Sequence, residues 1–472
     1  MSISYGDWWW NGPHAPQVQD ARSKPGVTLD LGIELTVLDV IGYNLLQPNV
    51  AAGTAHSLFL KSDGSLWCMG NNGAGQLGDG NKTFKQIMPE QVVTSNVTAI
   101  AAGSHFSLFL KSDGSLWAMG ENNDGQLGDG STGDNINTPE QIISSNVIAI
   151  AAGSYYSLFL KSDGSLWAMG ENNEGGLGDG TYTWRSAPEQ ILSSGVTAIA
   201  AGDGHSLLLK SDGSLWATGD NEYGQLGNGT NTWTNSPEQA VSSNVTAIAA
   251  GSGYSLFLKS DGSLWAMGDA SYGKLGDGTT KFSQPVPEEI VSTNVTAIAA
   301  GANHSLFLMS DGSLWAMGAN GYDQFGDVIT STNIPQQIIF SNVTAIAAGG
   351  NHSLFVMSDG SLWGMGYNYY DQLGDGTANF NQSTPEEIMS AFGFDPGFIG
   401  ISLSGTNLVV TGTNGLSGRT YCVLMNTNAT DPFSKWTPIT TNVLGAGGNF
   451  TITATNAVNQ NETQQFYVLQ LQ

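Results

Sequence analysis

Residues 97–146 read VTAIAAGSHFSLFLKSDGSLWAMGENNDGQLGDGSTGDNINTPEQIISSN, and near-copies of this stretch fill most of the chain. The hexapeptide Ser-Asp-Gly-Ser-Leu-Trp occurs seven times, with tryptophans at Trp67, Trp117, Trp167, Trp216, Trp265, Trp315 and Trp363. Their spacings are 50, 50, 49, 49, 50 and 48 residues. Self-similarity at such a period marks a repeat architecture, in which each unit buries its faces against its neighbours.

Each unit reads as four short strands. The first is Val-Thr-Ala-Ile-Ala-Ala-Gly, as in 97–103. The second and third form a hairpin: His-Ser-Leu-Phe-Leu-Lys leads into Asp-Gly, and Ser-Leu-Trp-Ala-Met-Gly leads out. A fourth follows a proline, as at Pro139-Glu140-Gln141-Ile142. Asp-Gly between two apolar runs predicts a type I′ turn, whose two central residues both need positive φ. With Asp63 and Gly64 at its centre, Leu60 faces Trp67, Leu58 faces Met69, and Phe59 opposes Cys68. Both faces of such a sheet are apolar, so both must be covered. Each repeat tryptophan is therefore expected to lie buried between sheets.

Seven four-stranded sheets covered on both sides predict an all-β, seven-bladed β-propeller over 49–392, with no helix longer than about two turns. Ala-Ala-Gly suits the innermost strand, where seven strands converge on a narrow channel. A linear solenoid is the rival, but seven is a closing number and the end repeats lack polar caps. The first unit opens with its own short inner strand, Asn49-Val50-Ala51-Ala52-Gly53, and the last stops at Pro385-Glu386-Glu387-Ile388. The ring is expected to close at this junction; the sequence leaves open which strand seals it.

Composition agrees. Glycine supplies 63 of 472 residues, nearly twice the usual ~7%, as many tight turns require. Only 11% of residues are charged, and the formal net charge is −26. Such a surface repels phosphate backbones and anionic membranes, so nucleic-acid binding is not expected. No run of ~18 apolar residues is present to cross a membrane. Cys68 and Cys422 cannot build a disulfide framework or a cysteine metal site.

The fixed residues of the unit resemble the repeat of the regulator of chromosome condensation family. In 97–146 they are Ala102-Gly103, Asp113-Gly114, Trp117, Gly120, Asn122, Gly125-Gln126-Leu127-Gly128-Asp129-Gly130 and Pro139. The resemblance spans roughly residues 49–390 and implies the propeller. It implies several unrelated activities, because function lives in sites and not in the fold. One is guanine-nucleotide exchange on a small GTPase, as in the name-giving member. Another is inhibition of a secreted enzyme, since a bacterial β-lactamase inhibitor has a similar propeller.

The ends leave the repeat. Residues 1–48 carry Trp8-Trp9-Trp10, and their Val37-Leu38-Asp39-Val40-Ile41-Gly42-Tyr43 resembles the closing segment of secreted bacterial metalloprotease-like domains. Either this segment is the remnant of an upstream domain, with Met1 not the true start, or it is an extension packed on the propeller. Residues 397–472 alternate strand-like runs with Gly, Asn and Ser turns. They predict a small antiparallel β-sandwich-like domain after a hinge at 394–397, resembling C-terminal domains of secreted bacterial proteins.

Candidate chemistry is sparse. His56, His205, His304 and His352 share a register with Phe106, Tyr156 and Tyr254. A metal ligand cannot be replaced by phenylalanine, so these positions are read as packing. Asp79, Asp129, Asp179, Asp277, Asp327 and Asp375 stand in Gly-Asp-Gly-type loops, and Asn228 replaces one. Without the Asp-x-Asp-x-Asp spacing of calcium loops, they are read as turn residues tolerating left-handed backbone. No catalytic set, metal site or cofactor site is expected.

One feature exceeds the needs of the fold. Phe84, Trp184, Trp233, Phe282 and Phe380 stand four residues after the Gly-x-Gly, with Asp134 and Thr332 in the other two units. Either each ring covers the outer strand of its own blade, or the rings form a binding rim. In a rim, Trp184, Trp233 and Phe282 make a contiguous arc on three consecutive blades. The expected function is a non-enzymatic binding module for a protein or a neutral glycan, acting as a monomer. An extracellular or cell-surface bacterial setting is expected, with the cytoplasm as the alternative.

Overall fold

The computed structural model describes residues 49–389, except 82, 327–330 and 378, together with six strands between 397 and 471. Seven four-stranded antiparallel sheets follow one another along the chain, each built from a single repeat in simple sequential order. In the first blade the strands are Asn49–Ala52, His56–Leu60, Leu66–Asn71 and Lys85–Val93. Every inner strand touches the next, and the first touches the seventh, Val343–Ala348, so the ring is closed. No strand is exchanged at the closure. The same bond that joins consecutive blades joins the ends: Gly80 N–H donates to Asn137 O, and Gly376 N–H donates to Ile87 O at 3.1 Å.

The hairpin differs from the expected one by a single residue. Leu60 pairs with Leu66, Phe59 with Trp67, and Leu58 with Cys68. Only Gly64 has positive φ, +76°, and its N–H donates to Lys61 O at 3.0 Å. This is a type I turn followed by a left-handed glycine bulge, not a type I′ turn. Asp63 acts through its carboxylate, which accepts from the Ser65 N–H at 2.8 Å and the Ser65 hydroxyl at 2.5 Å. A one-residue slip moves side chains to the other face. Phenylalanine and tryptophan therefore share one face of the blade, stacked at 6.0 Å in Phe109–Trp117. Leu58, Leu60, Leu66 and Cys68 form the other face and pack on Phe109, Met119 and Trp117 of the next blade. An aliphatic face meeting an aromatic face is the repeated unit of the core, and full burial of each such side chain is worth ~1.5–3 kcal/mol.

The tryptophans are half-buried, not buried. The indole N–H of Trp67 donates to Ser65 Oγ at 2.9 Å, and the Lys61 ammonium sits 4.0 Å above the ring. The expected absence of long helices holds among the described residues, where a 3₁₀ turn at Ser271–Gly273 is the one helical element. Residues 46–392 form one compact unit, and the C-terminal strands belong to another. Those strands make two three-stranded antiparallel sheets. One strand, Thr437–Val443, escaped the sequence reading. Segment 1–48, with Trp8–Trp10 and the 37–43 motif, lies outside the described residues. So does the hinge, apart from Gly397, which begins a strand.

Candidate binding surface

Antiparallel order puts the loops after the inner and third strands on one face of the ring. The other loops, with the start of the first blade and the end of the seventh, lie on the opposite face.

At the channel the repeated residues are structural. A Cβ on Gly202 would lie 2.6 Å from Gly251 O and 2.5 Å from the His205 ring, and all seven inner glycines relate this way around the ring. This is why Ala-Ala-Gly ends in glycine. Seven buried serines cross from blade to blade: Ser107 Oγ–H donates to Gln76 O at 2.8 Å, and Ser57 closes the series on Gln372 O at 2.6 Å. His56 Nε2 lies 3.0 Å from Ser107 Oγ, and His205, His304 and His352 repeat the contact. The serine hydrogen is already donated, so each Nε2 carries the proton. Burial lowers the imidazole pKa to about 3 at His56 and about 4 at His205. Where tyrosine replaces histidine, the contact with the serine survives: Ser305 Oγ lies 2.9 Å from the Tyr254 hydroxyl, which itself donates to His304 O at 2.7 Å. The packing reading of this position stands.

The aspartates of the Gly-Asp-Gly loops are turn residues, but not through left-handed backbone. Among those described, none has positive φ; the flanking glycines, such as Gly78 and Gly80, do. Asp79 Oδ1 accepts from the Asn72 side chain at 3.0 Å and from the Asn81 N–H at 2.8 Å. Asp327 lies outside the described residues. No group of three His, Cys, Asp or Glu side chains suited to a metal ion occurs among the described residues.

The five loop aromatics are all exposed. Phe84 is 59% exposed, Trp184 43%, Trp233 44%, Phe282 72% and Phe380 66%. They do not form one ring. Phe84, Phe282 and Phe380 stand two residues before the outer-strand residue that pairs with the last glycine of the third strand: Gln86 with Gly70, Gln284 with Gly268, Gln382 with Gly366. In units 3 and 4 the loop is one residue shorter. Trp184 and Trp233 stand immediately before Arg185, which pairs with Gly170, and Thr234, which pairs with Gly219. Counting from the Gly-x-Gly hides this difference. Phe84 and Phe282 reach a tyrosine of the preceding blade, Phe84–Tyr370 at 5.7 Å and Phe282–Tyr223 at 5.6 Å, whereas Phe380 meets Tyr369 of its own blade. The Trp184 indole N–H donates to Asn173 Oδ1 at 2.9 Å. No ring contact joins Trp184, Trp233 and Phe282, so the expected arc is not contiguous.

The aromatic cluster lies elsewhere, where unit 7 meets unit 1. Tyr367-Asn368-Tyr369-Tyr370-Asp371 stands where unit 2 has Glu121-Asn122-Asn123-Asp124-Gly125. Tyr322 contacts Tyr367 at 5.0 Å, Tyr367 contacts Tyr370 at 6.5 Å, and Tyr370 contacts Tyr369 at 4.9 Å. Tyr369 stacks on Phe380 at 5.4 Å. Six rings from units 6, 7 and 1 thus run together, and Phe84, Tyr322, Tyr369 and Phe380 are exposed. Between them lies a cleft of about 160 Å³, lined by Phe84, Lys85, Asn368, Tyr369, Asp371 and Phe380. In its floor the Lys85 ammonium pairs with Asp371 at 2.6 Å and donates to Tyr369 O at 3.1 Å. Asp371 has φ +59°, where the first five units have glycine. Left-handed backbone costs a non-glycine residue ~1 kcal/mol, and the ion pair offsets it. The tyrosines were visible in the sequence as a break in the repeat; their convergence with Phe84 was not.

Units 2 to 4 of the same face are acidic. Burial and then Asp220, Glu171, Asp203 and Glu222 push the Glu174 carboxyl up to about 7. Burial and then Glu121 raise Asp124. Asp203 accepts from Ser154 Oγ at 2.5 Å and from Ser252 Oγ, linking three consecutive blades.

Solved structures share this architecture. Human WBSCR16 is 22% identical with a TM-score of 0.62, covering 69% of this chain and 94% of that one. Yeast RCC1 (Prp20), in its complex with Kap60, is 20% identical with a TM-score of 0.63, covering 81% and 91%. Prp20p from Saccharomyces cerevisiae, in a structure described with its binding to Gsp1p and histones, is 23% identical with a TM-score of 0.57, covering 65% and 81%. At such identities the likeness shows the fold. No curated protein matches the sequence significantly. The RCC1-like domain profile matches residues 42–243 and 185–421, most of the chain, and with seven closed blades in hand the protein belongs to the RCC1-like domain family.

Proposed function

We propose that the chain is a non-catalytic, monomeric interaction module whose aromatic and acidic loop face receives a partner, within a secreted or surface-attached bacterial protein. The observation that carries the proposal is the six-ring cluster between units 6, 7 and 1. Exposed aromatics beside a cleft are the usual hot spots of recognition. The histidines and serines that recur in register at the inner ends of the blades are committed to inter-blade bonds. The relatives described with Gsp1p, histones and Kap60 make a protein the first partner to test; a neutral glycan is the second. The extracellular setting is supported by the resemblance of the C-terminal strands to domains of secreted bacterial proteins.

The test is comparative capture. Full-length chain and a Tyr369→Ala/Phe380→Ala variant, matched in melting temperature, are exposed to extract and medium of the source and to a neutral glycan array. A protein held by the first and lost by the second, then re-bound in purified form, supports the proposal. Identical retention by both would remove the cluster from recognition. Variant-sensitive retention of glycans alone would replace the protein partner by the glycan.

A further inference from the structure

The loop face has two sectors of opposite character around one ring. Units 6, 7 and 1 carry the aromatic cleft. Units 2, 3 and 4 carry Glu121, Asp124, Glu171, Glu174, Asp203 and Glu222 on the loops after their inner and third strands, and burial together with these acidic neighbours raises the carboxyls of Asp124, Glu171 and Glu174. Few cations stand on or beside this sector: Arg185 is taken up by Asp179 at 2.6 Å and Glu189 at 3.4 Å, His105 lies 3.5 Å from Glu121, and Lys281 is exposed on the adjoining loop of unit 5. Lys61, Lys111, Lys161, Lys210 and Lys259 end their second strands at the opposite face and lie over the tryptophans. Lys274 is taken up by Asp269 at 2.7 Å. Inside the cleft the charges cancel, because Lys85 and Asp371 pair with each other. The cleft therefore suits a neutral side chain, and the neighbouring sector suits positive ones. The whole chain, at −26, adds a long-range field that draws cations and repels anions.

We propose that the partner of this face is a basic protein segment, with one aromatic or long aliphatic side chain seated between Phe84 and Phe380 and flanking lysines or arginines on the acidic sector. This rests on the loop face being the recognition surface and adds the chemistry of its partner. The cleft supplies buried apolar contact, and the acidic sector supplies attraction and discrimination against acidic competitors.

The experiment pans full-length chain against a random-peptide library on phage, beside Tyr369→Ala/Phe380→Ala and Glu171→Gln/Glu222→Gln variants checked for unchanged melting temperature. The expected winners hold one aromatic or long aliphatic residue close to lysines or arginines. Made as free peptides and titrated by calorimetry, they should lose about tenfold in affinity between about 50 and about 300 mM NaCl. They should fail to bind the aromatic variant, and should bind the glutamine variant more weakly with a shallower salt dependence. Winners that need Tyr369 and Phe380 but carry no cations, or that ignore the glutamine substitutions, overturn the basic partner and leave the recognition face standing. Winners that bind the aromatic variant as well as the parent overturn both, as does a library that enriches nothing on the parent over that variant.

Discussion

The imidazoles of His56, His205, His304 and His352 are buried, and the adjoining serine fixes the proton on Nε2. At His304 burial holds the pKa at about 4 in place of 6.5. As pH falls the unfolded chain takes up the proton first. This contribution to stability is therefore fully present above about pH 6.5 and is lost on the way down to about pH 4. His304→Tyr copies the residue of units 3 and 5, keeps a hydroxyl for the next blade and removes the titration. Urea midpoints over that window should show a pH slope smaller by about one proton; an unchanged slope would mean His304 does not titrate on unfolding. Trp167 illustrates the half-buried ring. It packs on the Leu108 and Leu110 cluster, bonds Ser165 at 3.0 Å and lies 4.1 Å beneath Lys161. Trp167→Ala should cost ~2–3 kcal/mol in denaturant melts, below the ~3–5 of fully buried rings. A loss under ~1 kcal/mol would mean that the ring adds nothing to the blade contact.

Outer strands and loops are where blades of one design diverge. Each outer strand bears a proline beside a register break, as at Pro139 between Gly120–Ile136 and Ala118–Glu140. A proline that cannot donate to a ladder blunts an exposed edge. At the junction of units 7 and 1, the Lys85–Asp371 pair holds a loop in left-handed backbone. Lys85→Ala leaves the Asp371 carboxylate buried without its cation and should cost ~1–3 kcal/mol. Asp371→Gly restores the residue of other units and should be nearly neutral. Equal losses from both substitutions would show that the pair, not the uncompensated charge, matters.

The closed ring has no exchanged strand, so its closure depends on face-to-face packing and on the inter-blade hydrogen bonds at the junction. Deleting 343–389 would bare the face of Phe59 and Met69 on one side and that of Leu306 and Leu308 on the other. The shortened chain should bind a hydrophobic dye and self-associate on gel filtration; a soluble monomer that binds no dye would show that six blades suffice. Chelators should leave the melting temperature of the whole protein unchanged, since the loop aspartates are occupied by backbone and asparagine donors. A calcium-dependent rise of several degrees would contradict this.

Blade number, strand order and the inner position of Ala-Ala-Gly were determined by the sequence alone. These follow from local patterns repeated seven times: a hairpin signal, a glycine, an apolar alternation. The structural role of the histidines was legible too, because Phe106 occupies the same register. Tertiary structure decided what depends on neighbours. The hairpin register turned on which of two turns let Phe109 and Trp117 stack while Leu108 faced the next blade. The loop aromatics separated into two groups, because pairing with the third strand, not distance from a glycine, fixes where a side chain points. Phe84 and Tyr370, 286 residues apart, came together only because the ring closes. That contact follows from the total rotation of seven blades, and no single repeat encodes it.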